Sequence, residues 1–102
     1  MARQVIISQD AARDMRSVRE WVKQPGAGPK ATRRLAQIRS AIRTLRHSPM
    51  QWPAGAHAAA REFTVAGYRV IYAVKPDTGE NATAGDVEVL RVFGPYQDRS
   101  RL

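Results

Sequence analysis

Six side chains in this sequence are suited to gripping a phosphate: Arg61, Arg69, Tyr72, Arg91, Tyr96 and Arg99. A guanidinium meets a phosphate through two parallel N–H donors and stabilises the charge of a phosphorane-like transition state. Cutting a ribose-phosphate chain asks for more. A base must take the 2′-hydroxyl proton and an acid must protonate the leaving oxygen. Arginine stays charged and is a poor base, so Glu62, His57 or Tyr96 would have to serve. There is a plainer use for the same residues: Arg69 and Arg91 can each form an ion pair with Glu62 or Glu88.

Other chemistries find no motif. Cysteine is absent, and the two histidines, His47 and His57, match no metal-ligand spacing. No Ser-His-Asp or paired-carboxylate pattern stands out. Gly26-Ala27-Gly28 lacks the lysine and the preceding strand of a phosphate loop. No cofactor is expected.

The candidate residues hang on a hairpin. From Arg61 to Val74, two runs rich in β-branched and aromatic residues meet at Ala66-Gly67, with alternating side chains on the second run. That second run is apolar on both faces, which predicts an interior strand. Arg69 is then the odd residue, a full charge on the strand expected to be most buried, and it can belong to either face.

Before the hairpin, Arg3 to Ile7 predicts a first strand. Ser8 or Asp10 can cap a helix beginning near Ala11, whose apolar stripe is Ala11, Met15, Val18 and Val22 with Trp21 beside it. Gln24-Pro25-Gly26-Ala27-Gly28 breaks this helix, and Pro29 suits the first turn of the next. The second helix shows Ala31, Leu35, Ile38, Ile42 and Leu45 on one face and stops at Ser48-Pro49. Trp52, in the loop that follows, is expected to lid the core. A polar connection from Pro76 to Gly85 leads to a last strand from about Asp86 to Phe93.

Charge is unevenly placed. The 102 residues carry a formal charge of +8. Residues 1–50 hold eleven Lys/Arg against three acids, whereas residues 51–102 hold six of each. Arg16, Arg19 and Lys23 flank the first apolar stripe, Arg39, Arg43 and Arg46 recur along the second helix, and no acid occurs from Lys30 to Arg46. Intrahelical ion pairs therefore cannot balance the second row. An excess of this kind suits an anionic partner, nucleic acid or acidic protein.

The length suits one domain. The N-terminus lacks the apolar core of a signal peptide, and no run is long enough to span a membrane, so a cytoplasmic protein with no membrane partner is expected. The predicted fold class is α+β, in the order β-α-α-β-β-β: a small, mostly antiparallel sheet covered on one face by a helical hairpin.

That order, the basic helical hairpin ending at Ser48-Pro49, the strand Gly67-Tyr68-Arg69-Val70-Ile71-Tyr72 and the closing strand Val89-Leu90-Arg91-Val92 resemble the RelE/ParE superfamily of toxins from bacterial type II toxin–antitoxin modules. The likeness spans nearly the whole chain, as a single RelE/ParE-like domain over 1–102. It implies an acidic antitoxin, partly disordered until it wraps the toxin in a hetero-oligomer. The basic rows, Arg16, Arg19, Lys23, Arg39, Arg43 and Arg46, are its expected contacts.

Two activities occur in the superfamily. RelE-like members cut mRNA on the ribosome with basic residues on the sheet. Arg69 matches one of these, but Ala60-Arg61-Glu62 replaces their lysines, and Tyr96 and Arg99 fall out of register with their distal set. ParE-like members lack that set and inhibit DNA gyrase. Many of them end the last strand in His-Gly, where this chain has Phe93-Gly94-Pro95. The ParE-like reading, in which a topoisomerase such as gyrase is bound, is preferred. The alternative is a ribosome-dependent mRNA interferase with Arg61, Arg69, Tyr96 and Arg99 at its site.

Overall fold

In a computed structural model of the protein, residues 3–55 and 59–94 are described. The elements run β1 (Val5–Ile7), α1 (Gln9–Val22), α2 (Gly28–Thr44), β2 (Arg61–Val65), β3 (Tyr68–Lys75) and β4 (Asp86–Phe93). The strand with apolar residues on both faces, β3, lies inside the sheet, whose order is β1-β4-β3-β2. Both of its pairings are antiparallel, and only β1 runs parallel to its neighbour, β4.

Alternation sorts the β3 side chains. Val70, Tyr72 and Val74 join Phe63, Val87, Val89 and Val92 under the helices, and all are buried. The helical stripes supply the other half of this core through Ala11 and Val18 on α1 and Leu35, Ile38 and Ile42 on α2. The opposite sheet face carries a smaller cluster of Ala60, Ile71 and Phe93, with Leu90 packed against it.

The joint at Ala66-Gly67 is a two-residue turn. Val65 pairs with Tyr68 across it, and both central residues have positive φ, 52° at Ala66 and 83° at Gly67. That geometry matches the right-handed twist of the two strands.

Three boundaries move: α2 ends at Thr44, with Leu45 as its cap and Arg46 in the turn beyond, rather than running on to Ser48-Pro49. α1 begins at Gln9 rather than Ala11, because the Ser8 hydroxyl is the cap: its Oγ accepts the Ala11 N–H at 3.0 Å. The first strand is Val5–Ile7 rather than Arg3–Ile7. Arg3 serves as a clasp, donating from Nε to the Gly85 carbonyl at 2.9 Å and from Nη1 to the Arg46 carbonyl at 2.5 Å. Trp52 does cover the core, stacking on Phe63 with ring centroids 5.0 Å apart. No described helix is long and apolar enough to cross a membrane.

Candidate functional site

Register decides which of the sheet arginines can meet. Arg61 lies opposite Tyr72, and Thr64 lies opposite Arg69. Arg61 thus shares the helix side of the sheet with Phe63 and Tyr72, while Arg69 shares the other face with Glu62 and Ile71. One phosphate cannot touch both. Tyr96, Arg99 and His57 lie outside the described residues.

Each arginine also has an occupation. Arg61 donates from Nε to Asp77 Oδ2 at 2.8 Å, from Nη2 to Asp77 Oδ1 at 3.1 Å and from Nη1 to the Trp52 carbonyl at 2.6 Å. The paired guanidinium holds the Asp77 carboxyl below its ordinary range, and Asp77 in turn raises Arg61. Arg69 pairs with Glu62 through Nη1 and Oε2, so the expected ion pair forms and the carboxylate considered as a base is engaged.

Arg91 departs from expectation. Its partner is Asp14 on α1, neither Glu62 nor Glu88, with Nε–Oδ2 at 2.8 Å and Nη2–Oδ1 at 3.2 Å. Tyr72 is a core residue: its hydroxyl donates to the Pro49 carbonyl at 2.7 Å, and burial pushes its pKa up to about 12.

A different surface gathers cations that meet no carboxylate among the described residues. Arg16 and Arg19 of α1 face Arg39 and Arg43 of α2 across a groove of about 420 Å³ whose floor includes Ile7, Met15 and Ile42. A second groove, about 720 Å³, continues along β1 and is lined by Ile6, Ile7, Ile42, Arg43, Arg46 and Arg3 among others. Of the six cations expected to contact an antitoxin, five line this pair of grooves. Lys23 lines neither.

The spacing of the basic rows did not reveal β1's part in this surface. Its outer edge pairs with no strand among the described residues, and Ile6 and Ile7 are 46% and 41% exposed. Successive isoleucines on a three-residue terminal strand were the available signal, since one of any two neighbours must face outward. An unpaired edge, an apolar floor and arginine walls suit an acidic, amphipathic polypeptide. Among the described residues no cluster of His, Asp or Glu is placed to hold a metal.

Comparison places this architecture in a class. The α+β fold matches a chain from the chromosomal ParDE TA system of P. aeruginosa with a TM-score of 0.67, over 91% of this chain and 96% of that one. At 16% identity the likeness is one of fold. The sequence carries the narrower assignment: residues 5–94 match the family described as ParE toxin of type II toxin-antitoxin system, parDE, and the chain belongs to that family. It is a ParE-type toxin, and the family implies an antitoxin partner. No curated protein sequence matches it.

Proposed function

We propose that this toxin works in the cytoplasm by binding a topoisomerase such as DNA gyrase, and that a cognate acidic antitoxin silences it by filling the grooves along β1. The observation that carries the antitoxin half is the exposed β1 edge set between Arg16, Arg19, Arg39, Arg43 and Arg46. An acidic segment laid there would bury Ile6 and Ile7 and bring its carboxylates to the groove walls. The target half is supported by family membership and by the separation of Arg61 from Arg69 on opposite sheet faces.

A paired assay tests the target. Purified toxin is added to gyrase supercoiling reactions and, separately, to programmed ribosomes carrying mRNA. Loss of supercoiling with intact mRNA is expected. Cleaved mRNA with unimpaired supercoiling would overturn the reading. For the antitoxin, Arg39→Glu combined with Arg43→Glu is expected to weaken complex formation by at least tenfold in a pull-down titration.

A further inference from the structure

The arginines of this chain fall into two sets. Where the fold uses one, it supplies a partner: carbonyls for Arg3, Asp77 for Arg61, Glu62 for Arg69 and Asp14 for Arg91. On the helical hairpin, Arg13 alone has a carboxylate within ion-pair distance among the described residues. Arg16, Arg19, Arg39, Arg43 and Arg46 are exposed and make no such pair.

The start of α2 is also charged against its own dipole. α2 has no acidic residue in its first turn and no side-chain cap, yet Lys30 stands in that turn and Arg33 in the next. Cations at a helix N-terminus oppose the macrodipole. α1 has the opposite arrangement, with Asp10 in its first turn. Arg19 and Arg43 stand in the last turns of their helices, where a cation suits the dipole, but Arg16 and Arg39 have no such use.

We infer that the helical hairpin is a phosphate-contacting surface through which the toxin binds duplex DNA. Arg16 and Arg19 form one row, and Arg39 and Arg43 of the facing helix form another that Arg46 extends in the turn just past its end. A duplex is too wide to enter the groove between them and rests on its rims, where long, exposed guanidinium side chains reach backbone oxygens. Contacts of this kind position without reading sequence.

Binding of a labelled duplex of mixed sequence to the isolated toxin is measured by fluorescence anisotropy across a salt series. No topoisomerase is present, so failure here leaves the gyrase reading standing. Five phosphate contacts predict a slope of log K against log salt of about −4.5, from about −0.9 for each phosphate. Arg39→Ala with Arg43→Ala should lower that slope by about two. Lys75→Glu removes the same net charge from the sheet face turned away from the helices and should leave the slope within about half a unit. Circular dichroism confirms that both variants are folded. The inference is overturned by absence of binding at low salt, by an equal loss in Lys75→Glu, or by tighter binding to single-stranded RNA of the same length.

Discussion

The Asp14 side chain completes the edge of β4 where β1 runs out. β1 pairs with β4 only as far as Val89, Ser8 N–H reaches the Val89 carbonyl at 3.0 Å, and beyond that point Asp14 Oδ2 accepts the Val92 N–H at 2.8 Å. The same carboxylate holds Arg91, whose guanidinium carbon lies 4.4 Å from the centre of the Phe93 ring. One helix residue thus satisfies a strand amide and fixes a cation on the sheet. Asp14→Ala is expected to destabilise the protein by about 3 kcal/mol, since it strands a partly buried amide and a partly buried charge together. Asp14→Asn keeps an acceptor for Val92 and should cost less. Urea unfolding of the two variants gives the comparison, and equal losses would show that the amide contact contributes nothing.

The Arg61–Asp77 pair predicts a response to acid. Asp77 titrates below its unfolded value, so its contribution to stability is present above the ordinary carboxylate range and is lost as pH falls through the folded pKa. Asp77→Asn should therefore flatten the fall in stability below roughly pH 4 and leave the slope near neutrality unchanged. Thermal melts at stepped pH would read this. An unaltered acid limb in the variant would mean that the pair does not contribute.

The turn between β2 and β3 is improvable. Ala66 is held at φ 52°, a conformation that costs an L-residue about 1–2 kcal/mol and glycine almost nothing. Glycine loses more freedom on folding, so Ala66→Gly is expected to gain about 0.5–1 kcal/mol net. The denaturation midpoint should rise with an unchanged m-value. A fall would mean that the partly buried Ala66 methyl matters more for packing than its backbone strain.

Local pattern was enough for the elements, and it failed where partners are distant in sequence. The interior position of β3 followed from Val70, Ile71, Tyr72 and Val74 filling both faces. The Arg69–Glu62 pair was within reach because both residues belong to one hairpin, seven positions apart. Asp14 and Arg91 lie 77 positions apart, and α1 must first pack against β4 before they meet. Nothing local to Asp14, past the first turn of α1, points to a partner on β4. The separation of Arg61 from Arg69 was implicit in the turn: a two-residue connection sets Val65 opposite Tyr68, and period-two alternation then sends the two arginines to different faces. The grooves along β1 were hinted at only by the successive isoleucines Ile6 and Ile7, because they require β1 to be placed at the sheet edge beside α2.

Arg61 and Arg69 should respond differently to removal, and the contrast separates structural from functional roles. Arg61 ties β2 to the 76–85 connection through Asp77 and to the Trp52 loop through a carbonyl. Arg61→Ala is expected to lower stability by about 2 kcal/mol, because several charge-assisted hydrogen bonds go at once. Arg69 forms a partly exposed pair, so Arg69→Ala should cost only about 1 kcal/mol. Under a binding mechanism, toxin carrying Arg69→Ala still arrests growth and still inhibits gyrase once it is shown to be folded. A folded Arg69→Ala protein that no longer arrests growth, in cells where the parent toxin leaves truncated mRNA and the variant does not, would return Arg69 to the catalytic role that its place on the Tyr-Arg strand first suggested.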